Sequence, residues 1–275
     1  MRRLLIATAL GLALLAATAP GARADTGSAT HYYLSLGDSL AAGTNATGVG
    51  VAFTDRGYAD QLYAALAADD PKLELTKLGC PGESSASFRF GSQLPTSVLS
   101  CGTPRFYKNF LYSKGTQLAE AVAFLAAHKG KVTLVTIDVG ANDLSRLDAQ
   151  GSLVTCLFEP AGCATQTAGI ATNLSAILSE LRAAAGPDVP IVGMTYYNVF
   201  RPLGDPFVNM RAEALNAAIA STYAAAGAPV ADVAGAFPTT ALVCAWTWFC
   251  THGDVHPNTA GYGVIANEFL EVIQP

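Results

Sequence analysis

Short apolar runs rich in β-branched residues alternate along the chain with longer segments that repeat apolar residues at helical spacing. Runs of the first kind predict strands, and apolar residues three and four apart predict amphipathic helices. The predicted strands are Tyr32–Leu36, Leu73–Leu78, Val132–Val139, Val189–Thr195 and Pro229–Val233, and the predicted helices are Tyr58–Ala68, Lys114–His128, Thr165–Ala185, Val208–Ala226 and Thr259–Ile273. This alternation predicts an α/β fold with a parallel sheet between two layers of helices, which binds ligands beyond the carboxyl ends of its strands.

Three long stretches interrupt the alternation. They are residues 79–113, 144–164 and 234–256, and we predict irregular loops there. Loops of this length inside one domain are usually functional. Their aromatic residues either rim a binding cleft with apolar surface or cover the edges of the sheet. These residues are Phe88, Phe90, Phe106, Tyr107, Phe110, Tyr112, Trp246, Trp248 and Phe249.

The first 24 residues have the pattern of a secretory signal peptide. Arg2 and Arg3 precede an apolar run, Leu4–Ala17, and Ala22–Ala24 is a small-x-small cleavage site. A membrane anchor is the alternative, but the run is shorter than the ~20 apolar residues that span a bilayer. We therefore predict a signal peptide at 1–24, a single domain at 25–275 and a secreted protein without stable membrane insertion.

The overall charge is acidic. The formal net charge of −5 becomes −8 once the leader, with its three arginines, is removed. The chain contains no run of lysine or arginine. Bulk positive charge is what holds nucleic acids and anionic membranes, so neither is predicted as a partner.

Six cysteines follow the leader, and an even number in an exported chain implies disulfides. Fifteen pairings are possible. The sequential pairing, in which each bond closes a short local loop, is the one we favour: Cys80–Cys101, Cys156–Cys163 and Cys244–Cys250. A zinc site is the alternative, but no CxxC pair or Cys/His cluster with zinc spacing is present, so no metal is predicted.

Four short motifs could supply the chemistry, and each lies at the end of a predicted strand or before a predicted helix. Ser39 follows the first strand in GDSL, and a serine becomes a nucleophile only beside a base. Gly79 follows the second strand, where a glycine lets a backbone N–H approach an oxyanion. Asn142 follows the third strand in GAND and offers an amide donor. His256 precedes the last helix in GDVHPN and could act as general base. Each motif alone is compatible with an ordinary turn.

All four motifs in this order resemble the GDSL lipases and esterases, specifically the SGNH hydrolases, and most closely the secreted actinobacterial members with three disulfides. The resemblance spans nearly the whole mature chain. It implies a flavodoxin-like α/β/α sandwich with a central parallel sheet of about five strands and no metal or organic cofactor. It also implies that Ser39 attacks an acyl carbonyl, with the Ser39 and Gly79 N–H groups and the Asn142 side chain holding the oxyanion.

The chain departs from the family pattern at two places. The family usually has asparagine two residues before the second-block glycine, where this chain has Lys77. The family also usually places its acid three residues before the histidine, and the residue at that position in this chain is Gly253. Asp254, two residues before His256, could accept the Nδ1 hydrogen bond if the loop turns tightly, or a backbone carbonyl such as that of Gly253 could orient the ring.

Several other polar residues lie in or near these motifs. His252 is the one serious competitor of His256 for the role of base. Asp38 and Asp143 are predicted to support the site through hydrogen bonds, and Glu83 is predicted to be a solvated loop acid.

The predicted function is a monomeric secreted esterase or lipase acting on lipid or short-to-medium acyl esters through an acyl-enzyme on Ser39. A carbohydrate acetyl esterase is the enzymatic alternative, and a non-catalytic secreted binding module is the alternative of another class. Activity should rise with pH as the imidazole of His256 loses its proton, which an ordinary histidine does near pH ~6.5.

Overall fold

The computed structural model describes residues 30–50, 53–91, 112–147 and 153–274 of the 275-residue chain. The predicted signal peptide, Cys101 and three of the loop aromatics, Phe106, Tyr107 and Phe110, lie outside the described residues.

A five-stranded parallel sheet forms the centre of the fold. Its strands are β1 (His31–Gly37), β2 (Leu73–Lys77), β3 (Val132–Asp138), β6 (Ile191–Met194) and β7 (Val230–Ala231), and its spatial order is β2-β1-β3-β6-β7. A separate antiparallel hairpin consists of β4 (Ser145–Leu147) and β5 (Leu153–Thr155). The strand order is that of the flavodoxin-like doubly wound sheet, which confirms the predicted fold class.

Helices cover both faces of this sheet. The helices are α1 (Ser39–Ala42), α2 (Tyr58–Ala67), α3 (Ser85–Phe90), α4 (Gln117–Ala127), α5 (Ala164–Ala185), α6 (Pro206–Ala225), α7 (Val233–Ala236), α8 (Thr240–Trp246), α9 (Phe249–His252) and α10 (Thr259–Ile273). Helices α2 and α10 pack together, and α5 packs against both α4 and α6. Burial on both faces encloses β3 along nearly its whole length, with Leu134, Val135 and Ile137 in the core.

The stretches predicted to be irregular contain more regular structure than their sequences indicate. Residues 234–256 contain α8 and α9, and Thr239 caps α8 by accepting a hydrogen bond from Leu242 N–H. Residues 79–113 contain α3, and the hairpin lies within 144–164. The prediction of irregular loops was therefore wrong for these segments, because caps rather than apolar periodicity define such short elements.

Two disulfides close short loops in the described part of the chain. Cys156 is bonded to Cys163, and Cys244 is bonded to Cys250. Disulfides are typical of proteins that fold in an oxidising compartment. Among the described helices, none combines the length and apolar character needed to cross a bilayer.

The chain direction around the sheet reverses between β1 and β3. The connection from β1 leads to β2 on one side, whereas β3 leads to β6 and β7 on the other. Gly37, the last residue of β1, is paired with Asp138, the last residue of β3. Doubly wound sheets bind ligands at this switch point, beyond the carboxyl ends of the strands.

Candidate active site

Ser39 lies directly beyond the carboxyl end of β1, as the first residue of α1, and is half-buried. Gly37 turns the chain with φ +134°, and a side chain at this position would overlap Asp138. Asp38 caps α1, with its carboxylate accepting a hydrogen bond from Leu40 N–H at 2.9 Å. The serine is therefore presented on a sharp turn that the Asp38 cap holds in place.

Asp38 is fully enclosed and connects several elements around Ser39. Its backbone N–H donates to Asp138 Oδ1 at 2.7 Å, and the Tyr196 hydroxyl donates to its Oδ2 at 3.0 Å. Burial raises the pKa of Asp38, while hydrogen bonds from Leu40 and Tyr196 and the charge of His256 act in the opposite direction. These contacts support the hydrogen-bonding role predicted for this aspartate.

Gly79 brings the loop after β2 against the helix that begins at Ser39. A Cβ at Gly79 would overlap Ala41 and lie 2.8 Å from Ala42 N, so only glycine permits this approach. Neither the Ser39 N–H nor the Gly79 N–H has a hydrogen-bond acceptor within the described ranges. Both groups are thus available as donors.

Lys77, which replaces the asparagine of the family pattern, makes its contacts with α2 and its neighbourhood. Its ammonium lies 2.8 Å from the Asp60 carboxylate and donates to the Thr54 carbonyl at 3.0 Å. The residue at this position therefore ties β2 to α2.

Asn142 lies in a short 3₁₀ turn after β3 and bridges the first two motifs. Its Nδ2 donates to the Glu83 carbonyl at 3.1 Å and more weakly to Asp38 Oδ2 at 3.3 Å. The adjacent Asp143 accepts hydrogen bonds from the backbone and hydroxyl of Ser85 at the start of α3. The two neighbouring side chains therefore fix the second-block loop against the end of β3.

His256 and Asp254 form a close pair in the loop before α10. His256 Nδ1 lies 2.6 Å from Asp254 Oδ1, which also accepts from the His256 backbone N–H at 2.9 Å. Burial of Asp254 opposes its ionisation, but the hydrogen bonds from the His256 side chain and backbone, the imidazole charge and a bond from Asn45 outweigh it and lower the Asp254 pKa. An acid two residues before the histidine can therefore reach the ring, and no carbonyl is needed.

Contacts between the segment after Ser39 and the loop around His256 bring the first and last motifs together. The Tyr262 hydroxyl donates to the Thr44 carbonyl at 2.8 Å, and Thr259 Oγ1 donates to the Ala46 carbonyl at 2.8 Å. In the described part of the molecule no hydrogen bond joins the Ser39 hydroxyl to the imidazole. Such bonds are commonly long until substrate binds.

The other described histidines lie in different surroundings. His252 is exposed, with Nδ1 2.8 Å from the Thr251 hydroxyl and its ring against Trp248. His31 pairs with Asp70, and His128 caps α4. Within the described residues, only His256 combines a carboxylate partner with contacts to the Ser39 segment.

The prediction for Glu83 was wrong, because this side chain is only 2% exposed. It accepts hydrogen bonds from the Ser87 hydroxyl and from Gln117 Nε2, the latter at 3.1 Å. Burial raises its pKa to about 7. Gln117 also binds both backbone groups of Gly37, accepting from its N–H at 2.6 Å and donating to its carbonyl at 2.9 Å.

Sequence reasoning missed three supporting residues: Gln117, Tyr196 and Asn45. None belongs to the four catalytic motifs, and each acts through a contact distant in sequence. For Asn45 the one available signal was proximity to the GDSL motif.

Comparison with known proteins identifies a family and several structures with a similar fold. The family model described as "GDSL-like Lipase/Acylhydrolase family" matches residues 35–264. No curated protein is similar enough in sequence to match the chain. Phospholipase A1 from Streptomyces albidoflavus NA297 is 19% identical with a TM-score of 0.55, covering 89% of this chain and 98% of that protein. An acetylxylan esterase from Geobacillus stearothermophilus is 18% identical with a TM-score of 0.55, covering 90% of this chain and 95% of that one.

At this level of identity, the two solved structures establish the shared fold alone. The family match, by contrast, extends over most of the sequence and includes all four motif residues, from Ser39 to His256. The chain therefore belongs to the GDSL-like lipase/acylhydrolase family.

Proposed function

We propose that the protein is a secreted serine esterase in which Ser39 is the nucleophile, His256 the general base and Asp254 the residue that orients the base. The observation that carries this proposal is the Asp254–His256 pair, held against the segment that begins at Ser39. A serine needs such a base, and the base needs an acceptor at Nδ1.

The reaction follows from these positions. His256 takes the proton of Ser39 as the oxygen attacks the acyl carbonyl, and Asp254 stabilises the resulting imidazolium. The carbonyl oxygen becomes an oxyanion, for which the Ser39 and Gly79 N–H groups are unoccupied donors. The Asn142 amide is the third donor, and it exchanges its weaker 3.3 Å bond to Asp38 for one to the oxyanion. The imidazolium then protonates the leaving alcohol, which leaves an acyl-enzyme. Water, activated by the same imidazole, releases the acid and restores Ser39.

The proposed substrate class is an ester with an apolar acyl group. Support comes from exposed apolar side chains near the carboxyl end of the sheet. These are Phe158, Leu203, Phe207 and Met210, between 48% and 64% exposed. The Phe200 ring contacts both Phe158 and Phe249, and Phe249 begins the short helix that leads into the His256 loop. An apolar surface that continues toward the site favours a lipid or acyl chain.

The other described aromatics of the long loops are buried or half-buried, except Phe90, which is 58% exposed. Phe88 is fully buried, and Trp246 packs edge-on against Phe237. Phe88 and Trp246 therefore pack against the core, as one of the two sequence interpretations expected.

A panel of p-nitrophenyl esters from acetyl to dodecanoyl tests the proposal. Wild-type protein should prefer the longer acyl chains, and Ser39→Ala and His256→Ala should each lose roughly 10³-fold or more in kcat. His252→Ala is the matched control and should retain activity. Equal rates at every chain length would argue against an apolar acyl site. Release of acetate from acetylated xylan would favour the carbohydrate alternative, the activity named for one of the structurally similar proteins.

Export is proposed from the N-terminal pattern together with the disulfides in the described part of the chain. Secretion should remove residues 1–24. Sequencing the N-terminus of protein recovered from the medium should give Asp25, whereas retention of Met1 would contradict this assignment.

A further inference from the structure

We propose that Asn45 is a positioning residue of this site, whose side-chain amide holds the Asp254 carboxylate in the orientation that His256 requires. The inference rests on the proposed function and extends it to a residue outside the four motifs. Asn45 Nδ2 donates to Asp254 Oδ2 at 2.7 Å, and the same nitrogen lies 3.5 Å from His256 Nδ1.

The two oxygens of Asp254 have different partners. Oδ1 accepts from the backbone N–H and Nδ1 of His256, and Oδ2 accepts from Asn45. Because Asp254 is only two residues from the histidine, its carboxylate bends back onto the chain that follows it. Without Asn45, Oδ2 of Asp254 would have no hydrogen-bond donor among the described residues. The amide of Asn45 therefore fixes the second oxygen and with it the plane of the carboxylate.

The backbone of Asn45 is held in an unusual conformation. Its φ is +58°, and among the described residues no other non-glycine residue has a positive φ. Asparagine tolerates this region better than most residues, and surrounding contacts hold it there. The Trp248 indole N–H donates to the Asn45 carbonyl at 2.8 Å, and the residue is only 3% exposed. The strained backbone thus delivers the amide to Asp254 from a fixed position.

A neutral donor suits this position better than a cation. A lysine or arginine here would neutralise Asp254 and reduce its ability to stabilise the imidazolium. The other ionisable groups around the pair are Asp38, whose carboxylate feels the His256 charge, and the phenols of Tyr197 and Tyr262. Burial raises the pKa of both phenols well above the ordinary value, so they remain neutral in the working range.

Two substitutions at this position distinguish the effect of the side-chain amide from the effect of the backbone conformation. Asn45→Gly permits the same positive φ and removes the donor, and Asn45→Asp keeps the shape but replaces the donor with a second carboxylate. We expect each to lower kcat by roughly 10- to 100-fold, the range for a hydrogen bond to a charged group, with little change in KM. Asn45→Asp should also move the midpoint of the kcat/KM profile to higher pH, because the added negative charge favours the imidazolium.

Asn258→Asp is the control for charge. It adds a carboxylate two residues from His256, where the side chain already accepts from Gly261 N–H. The variant loses the amide bond to the Ala245 carbonyl, but none of the Asn258 side-chain bonds involves Asp254. It should shift the pH profile upward but keep the plateau kcat. If Asn258→Asp lowers the plateau kcat as strongly as Asn45→Asp does, the effect is due to charge alone and Asn45 has no positioning role.

A reciprocal exchange provides a readout that a purely structural role would not produce. In Asp254→Asn, the new amide can turn its nitrogen toward His256 and favour the wrong tautomer. Adding Asn45→Asp gives that nitrogen an acceptor and returns an oxygen to His256. The double variant should therefore exceed Asp254→Asn in kcat by roughly 10-fold. A double variant no better than Asp254→Asn would refute the inference.

Failure of this inference is distinguishable from failure of the proposed function. If Ser39→Ala abolishes hydrolysis while both Asn45 variants retain wild-type kcat and pH profile, Asn45 has no positioning role and the esterase proposal stands. If Ser39→Ala retains hydrolysis, the proposed function itself is wrong. Thermal unfolding of each variant identifies any loss caused by failure to fold.

Discussion

The buried carboxyl of Glu83 leads to a quantitative prediction about stability. Its oxygens accept hydrogen bonds from neutral groups: the Ser87 hydroxyl, the Gln117 amide at 3.1 Å and, at 3.4 Å, the Tyr112 hydroxyl. Burial raises the pKa of this carboxyl from 4.5 to about 7. The folded protein therefore favours the protonated form, and ionisation of Glu83 should destabilise it.

The magnitude follows from the displacement of the pKa. A difference of about 2.5 pKa units at 1.36 kcal/mol per unit is about 3 kcal/mol. Because the folded-state pKa is raised, this contribution to stability is fully present below pH 4.5 and is lost as the pH rises through about 7. Glu83→Gln replaces the carboxyl with an amide that cannot ionise, so this pH dependence should disappear.

Urea unfolding at intervals from pH 4.5 to 8.5 measures the effect. The free energy of unfolding of Glu83→Gln, relative to wild type, should increase by about 3 kcal/mol across this range, with the variant favoured at high pH. Glu74→Gln, at an exposed position on β2, is the matched control for loss of one carboxylate. A difference between Glu83→Gln and wild type that stays constant with pH, or that falls as pH rises, would refute the argument.

Two further predictions concern the glycine of the second motif and a disulfide. Gly79→Ala should lower kcat by at least roughly 10-fold, because its methyl group would overlap Ala41 and displace a backbone donor from the oxyanion. Steady-state kinetics on a soluble ester measures this effect, and an unchanged kcat would contradict the role of Gly79. Replacing both Cys244 and Cys250 with serine should lower the free energy of unfolding by about 2 kcal/mol in urea, the loop-closure value for so short a loop, and an unchanged midpoint would contradict it.

The sequence predicts the sheet and the four motifs well because both depend on local patterns. The five strands and five longer helices occur where apolar periodicity places them, with differences of only a few residues at most ends. The motif residues are recognisable because each follows a strand or precedes a helix, and parallel strands bring such positions to one edge of the sheet.

The residues that support the motifs could not be predicted in this way. Glu83 appears solvated in sequence because its neighbours are small and polar, and its burial depends on packing between α3 and α4. Gln117 and Asn45 act on residues 80 and 209 positions away. Such contacts arise from the tertiary fold and have no local signature.

Covalent labelling of folded protein with a fluorophosphonate probe tests the central claim most directly. If His256 and the oxyanion donors activate Ser39, mass spectrometry should find one adduct, on the peptide that contains Ser39, and His256→Ala should suppress it at equal protein stability. An adduct on another residue would contradict the account. So would ester hydrolysis that continues at the same rate after Ser39 has been labelled.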